Sequence, residues 1–175
     1  RLLEQNPGAQ IEVLDLSTDP VPVFDEEAIG AVFTLAEQRS AEQKARVEQS
    51  MALVRQLQDA DILVLGVPMY NFGISSQLKD WIDNVSLNQV TFRYTENGPE
   101  GLLKNKRALV GFARGGQYRG TEADTQTPFF RAWLKFVGIE DVHFIYAEGL
   151  NMGEEASTAG FATADQDLAL AMESF

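Results

Sequence analysis

Apolar runs of two lengths alternate along this chain, and the alternation predicts its architecture. Ile62, Leu63, Val64, Leu65 and Val67 form one continuous run. It is short enough for a strand buried on both faces, and Pro68 stops it, because proline cannot extend a central strand. Arg107 to Ala113 (RALVGFA) and Asp141 to Ala147 (DVHFIYA) predict two further buried strands. Gln10 to Leu16 (QIEVLDL) places Ile11 and Val13 in a period-two pattern and predicts another. Gln89 to Tyr94 (QVTFRY) is rich in β-formers. It leads into TENGPEG, where Asn97-Gly98-Pro99 signals a turn and Gly101 adds backbone freedom.

Helical patterns fill the intervals. Arg1-Leu2-Leu3-Glu4-Gln5 reads as the tail of a helix ending before Pro7-Gly8. Ser17 to Phe24 holds two prolines and must be extended or turned. Asp25 caps a short helix through Ile29 to Val32. Ser40 with Gln43 forms a capping box for a long helix whose Val47, Met51, Val54 and Leu57 share one stripe, read as core packing. Ser75 and Ser76 offer N-caps for a helix through Gln77, Leu78, Trp81 and Ile82. Thr127 or Pro128 opens a helix with Phe129, Phe130, Trp133, Leu134 and Val137 as its apolar face. A last helix runs from roughly Glu154 to Met172. Strands alternating with helices give one α/β domain over residues 1–175, with a parallel sheet that right-handed crossovers make doubly wound.

Composition narrows the chemistry. A chain of 175 residues with 45% hydrophobic residues suits a single globular domain. No apolar run approaches the roughly 18 residues of a membrane span. A net charge of −12 opposes binding to nucleic acid or an anionic membrane. The absence of cysteine excludes disulfides, thiolate catalysis and cysteine-ligated metal, and one histidine leaves little for a histidine site. No metal is expected. Lack of cysteine is compatible with a cytoplasmic location, which is the expectation.

Three strand ends carry the candidate chemistry. At Pro68-Met69-Tyr70-Asn71-Phe72, consecutive backbone N–H groups and the Asn71 amide could bond the edge of a heteroaromatic ring while Met69, Tyr70 or Phe72 covers its face. The same cluster could instead close the core. At Arg114-Gly115-Gly116, paired glycines let the backbone approach a ligand, or simply make a flexible turn. Tyr94, before TENGPEG, could form a pocket wall or be an ordinary strand-end residue. No catalytic triad can be assembled. His143 sits mid-strand and reads as structural, Ser75 and Ser76 read as caps, and Glu26-Glu27 and Glu154-Glu155 as solvated helix starts. No Gly-x-Gly-x-x-Gly or P-loop is present. A bound cofactor is therefore expected to carry any reaction.

The segments VPMYNFGISSQLKDWID, VTFRYTENGPEGLL, ARGGQY and FVGIEDVHFIYAEGL together resemble the FMN-dependent NADH:quinone oxidoreductase and azoreductase family, whose members once went by the label acyl-carrier-protein phosphodiesterase. The resemblance covers nearly the whole chain in the family's order. It implies a flavodoxin-like fold with strand order 2-1-3-4-5. It also implies bound FMN, NADH or NADPH as donor, ping-pong transfer to quinones and azo compounds, and a homodimer with a shared active site. By resemblance Pro68, Met69, Tyr70, Asn71 and Phe72 line the flavin ring, and Arg114, Gly115 and Gly116 form a second flavin loop. Ala113 stands where relatives often have Ser, and Tyr118 where many have His. Glu148 matches an acidic residue near the flavin, while Tyr94 and Phe136 match aromatics facing the substrate space.

One departure matters. The family begins with a strand and a Ser-rich loop that binds the FMN phosphate at a helix N-terminus. This sequence starts on a helix tail without Met, so the expectation is an N-terminal segment of a few tens of residues, containing the central strand, that is absent here. Two other readings compete with the oxidoreductase. A flavodoxin-like electron carrier or flavin-binding module would not need the TENGPEG loop, and a phosphodiesterase would need a hydrolytic constellation that is not seen.

Overall fold

The computed structural model describes residues 2–174. In chain order its elements are α1 (Leu2–Gln5), α2 (Glu26–Phe33), α3 (Ala41–Asp59), β1 (Ile62–Pro68), α4 (Ser76–Val85), β2 (Phe92–Thr95) and β3 (Gly98–Gly101). They continue with β4 (Arg107–Ala113), α5 (Gln126–Val137), β5 (Asp141–Ala147) and α6 (Glu154–Met172). The predicted caps start the helices. Asp25 accepts from the Ala28 N–H at 3.0 Å, Ser75 accepts from Leu78 at 3.2 Å, and Ser40 with Gln43 closes the capping box at the head of α3.

The sheet is three-stranded and parallel, in the order β1-β4-β5. Leu65, Val110 and Phe144 lie in one row, Val67, Phe112 and Tyr146 in the next of the same face. That face packs on α3, α4 and α5 through buried Val54, Leu57, Trp81, Ile82, Phe130, Trp133 and Leu134. Trp81 and Trp133 meet edge to face at 5.7 Å within this core. The C-terminal helix α6 packs along β5, and its buried Ala171 and Met172 lie outside that cluster, as expected of a helix on the opposite face. No helix among the described residues is long and apolar enough to cross a membrane.

Three expectations need correction. The first is burial of β1 on both faces: Leu65 and Val67 are buried, but Val64 is 60% exposed, because no helix covers it among the described residues. The second is the strand at Gln10–Leu16. That segment is extended but unpaired, with Ile11 66% and Val13 78% exposed. It runs beside α3, where Gln56 Nε2 donates to Glu12 Oε1 at 2.7 Å, and Leu14 and Leu16 touch the core. A period-two pattern supplies a pleat, but a strand also needs a neighbour's N–H and C=O groups, and none pairs with it among the described residues.

The third correction concerns TENGPEG, which is half strand. Thr95 pairs with Gly98 around a two-residue turn, and Gly98 to Gly101 run antiparallel to β2. Gly101 serves close approach rather than freedom: a Cβ there would sit 2.0 Å from the Gly138 nitrogen. Gly138, at φ 103°, is the left-handed cap of α5, so the hairpin is locked onto that helix end. Gly101→Ala should therefore destabilise the fold by about 3 kcal/mol and lower Tm by roughly 10 °C. Thermal unfolding by circular dichroism checks this, and an unchanged Tm would mean that the hairpin is free to move off α5.

Candidate functional site

All three parallel strands end on one row, Pro68, Ala113 and Ala147, so the loops that follow them begin at the same level. This is the carboxyl edge of the sheet, where open α/β folds bind ligands. The loop after β1 closes at once. Tyr70 N–H donates to the Gly73 carbonyl at 3.0 Å and Gly73 N–H returns to Tyr70 at 2.9 Å. Between them Asn71 (φ 48°) and Phe72 (φ 66°) both have left-handed backbones, which makes a type I′ turn. Asparagine tolerates that region, whereas phenylalanine is strained there by about 1–2 kcal/mol. The turn presents Tyr70 and Phe72, 59% and 55% exposed, on its outside. Met69 is half-buried beneath them.

The loop after β4 behaves differently from its sequence. Arg114 has a fully buried side chain: Nη2 bonds Asp124 at 2.8 Å, Nη1 bonds Glu148 at 2.9 Å, and Nε donates to Gln126 Oε1 at 2.9 Å. Its guanidinium lies 4.3 Å from the Phe112 ring centre. Glu148 also accepts from the Tyr118 and Arg119 N–H groups, each at 3.0 Å. Arg114 thus faces the protein, whereas Glu148 stays part-exposed and lines a cavity with Gln117, Arg119 and Tyr146. The glycines that follow lie close under side-chain ends: a Cβ on Gly115 would meet the Asn151 amide at 2.8 Å, and one on Gly116 the Tyr118 ring at 2.8 Å, so a side chain at either would displace them. Tyr118 in turn meets Phe72 edge to face at 5.8 Å, which joins the two loops.

Sequence reasoning missed the residues that fix this geometry, in TEADTQTPFF. Gln126, 1% exposed, donates from Nε2 to the carbonyls of Pro68 and Gly73, both at 3.1 Å. The neighbouring Thr125 hydroxyl donates to the Phe72 carbonyl. The one signal in the sequence was a set of polar residues at a helix start, which normally means capping. Tyr94 (67% exposed) and Phe136 sit elsewhere, joined through Phe92 at 5.6 and 4.3 Å. No ring contact links that trio to Phe72 or Tyr118 among the described residues. His143 bonds Asp141 and Ser174 through the same nitrogen, at 3.0 and 3.2 Å, which is not the relay a triad needs. No cluster able to hold a metal occurs among the described residues.

The open edge fits a flat, polar-rimmed cofactor. Backbone N–H groups of Asn71, Phe72, Gly115, Gly116 and Gln117 have no acceptor among the described residues. They lie in the two loops that carry the exposed Tyr70 and Phe72 rings and Tyr118. Donors for ring carbonyls and nitrogens, beside apolar faces for a π-system, are what an isoalloxazine requires.

This arrangement defines a flavodoxin-like protein, and residues 1–170 match the family model described as flavodoxin-like fold. The FMN-dependent NADH:quinone oxidoreductase of Dechloromonas aromatica (strain RCB) is 55% identical over 96% of this chain and 84% of the relative. The protein of the same name from Aromatoleum aromaticum is 52% identical over 98% of this chain and 86% of its own. An FMN-dependent NADH-azoreductase from Bacillus anthracis str. Ames Ancestor, solved in complex with FMN, is 28% identical, with TM-score 0.77 over 90% of this chain and 80% of that one. An azoreductase from Bacillus anthracis str. Sterne, 24% identical, shares the fold at TM-score 0.86 over 97% of this chain and 84% of that one. The chain belongs to the FMN-dependent NADH:quinone oxidoreductase family.

The buried charges give the loops a pH dependence. Burial pushes the Asp124 carboxyl up, but bonds from Arg114 and Thr127 outweigh it and hold the group below its usual 3.8. A depressed native pKa adds stability above the ordinary carboxylate range, and this stability is lost as pH falls through that range and below it. Asp124→Asn should thus cost about 2 kcal/mol at neutral pH and flatten the loss of stability below about pH 4. Urea unfolding across pH measures both, and an acid limb as steep as the parent's would remove Asp124 from that dependence.

Proposed function

We propose that this protein binds FMN and moves two electrons from NADH or NADPH to quinones and aromatic azo compounds, the donor leaving before the acceptor enters. The observation that carries the reading is the set of free N–H donors beside Tyr70 and Phe72 at the sheet's carboxyl edge. Relatives 55% and 52% identical bear the corresponding name. Bound FMN would supply the redox chemistry, since the chain has no cysteine and its tyrosine and carboxylate side chains carry no two-electron couple.

The chain's own groups bind and orient. The N–H groups of Asn71, Phe72, Gly115, Gly116 and Gln117 would hold the polar edge of the ring and favour negative charge there. Met69, Tyr70 and Phe72, with Pro68 before them, would hold the ring by its faces. Tyr118 braces Phe72. Arg114 and Glu148 act from behind: the ion pair fixes where the Tyr118 and Arg119 amides stand. Tyr94 and Phe136 supply aromatic surface for acceptors in a homodimer whose subunits share the active site, in the cytoplasm. Stacking discriminates weakly between flat molecules, which accounts for a broad acceptor range.

The test is steady-state turnover with NADH and a quinone in the presence of FMN. Bleaching of the flavin absorbance by NADH and its return on adding quinone are expected; a flavin that binds but does not turn over would make the protein a carrier. Tyr94→Ala should raise KM for aromatic acceptors about fivefold with FMN affinity unchanged. Asn71→Gly, which keeps the left-handed backbone and deletes only the amide, should weaken FMN about fivefold, as measured by fluorescence titration.

A further inference from the structure

Every polar atom of the Gln126 side chain is used, and each bond reaches a different part of the edge. Nε2 donates to Pro68, where β1 ends, and to Gly73, where the tight turn closes. Oε1 accepts from Arg114 Nε, in the loop after β4. The amide orientation is not ambiguous: arginine can only donate and carbonyls can only accept, so the nitrogen must face the turn. Beyond Arg114 the chain of bonds continues to Glu148 and from it to the Tyr118 and Arg119 N–H groups. A single path of bonds, buried at its Gln126–Arg114 centre, therefore runs from the Tyr70–Gly73 turn to the amides of the second loop.

We propose that Gln126 is a positioning residue that fixes the Tyr70–Gly73 turn against the 114–118 loop, and so sets the spacing between the N–H donors of the two. The inference rests on the flavin reading, because that spacing matters only to a ligand bridging both loops. Gln126 lies behind the loops, 1% exposed, with every polar atom of its side chain bonded to the protein. Its neighbour Thr125 cannot replace it, since its hydroxyl reaches only Phe72. The Met69 N–H bond to Ala113 fixes the strand end but not the turn beyond it.

The isosteric variant Gln126→Glu separates position from volume. The carboxylate can still accept from Arg114, but it turns oxygen lone pairs toward the Pro68 and Gly73 carbonyls, where two donors stood. Three readouts are expected in the purified protein. Amide hydrogen exchange at Tyr70–Gly73 in the FMN-free protein should quicken about tenfold. The FMN dissociation constant should rise about tenfold, as for the loss of one to two neutral hydrogen bonds. The flavin midpoint potential should move to more negative values, because misplaced donors stabilise the reduced ring less. Gln126→Met, which cannot disturb the turn by repulsion, should change exchange in the same direction by less. If Gln126→Glu leaves exchange, affinity and potential as in the parent while the parent binds FMN, the positioning role is wrong and the flavin reading survives. If the parent binds no FMN, the flavin reading fails and takes this inference with it.

Discussion

A guanidinium taken fully out of water costs several kcal/mol unless every face of it is met. Arg114 meets that condition with two carboxylates, one amide oxygen and the ring of Phe112. Those partners come from three places in the chain: Asp124 and Gln126 at the head of α5, Glu148 after β5, and Phe112 within β4. Because none can retreat without stranding a buried charge, the carboxyl edge of the sheet behaves as one body. The pair of carboxylates leaves one negative charge in excess, and the Tyr118 and Arg119 N–H dipoles, with the Thr127 hydroxyl and N–H, absorb it.

The sheet contributes levelness. Three strands of seven residues each, paired without a bulge, end on the same row, so loops distant in sequence start side by side. The hairpin β2–β3 stands apart from this edge and is held by the contact of Gly101 with Gly138. Placing recognition groups on short loops over a rigid frame is the general solution of α/β folds. Here the frame extends into the loops themselves, through the buried side chains of Arg114 and Gln126 and the largely covered Asp124 and Glu148.

The fold was largely legible because its signals are local. Apolar runs ending in Pro68 and in Arg114 marked strand ends, and Asp25, Ser40 and Ser75 marked helix starts. Val64 and Gln10–Leu16 were misread because burial and pairing are properties of neighbours, which a run of residues does not contain. The candidate loops were legible as Met-Tyr-Asn-Phe and Gly-Gly, but their internal logic was not. Arg114 reads only as the start of a ligand loop, and nothing in the sequence singles out Gln126. Only the approach of α5 to two strand ends turns them into a buried network, and Gly101 likewise reads as a flexible turn residue until Gly138 is seen against it.

The type I′ turn has an implication for how this sequence can change. At Phe72 the backbone alone would be served best by glycine, which removes the steric penalty of a positive φ. A phenylalanine there forfeits stability that a single substitution would recover. Positions where the residue best for the fold and the residue present disagree are where selection for stability and selection for activity pull apart. Relaxing this turn at Phe72 would therefore remove an exposed ring, and gains that keep the ring must come from other positions.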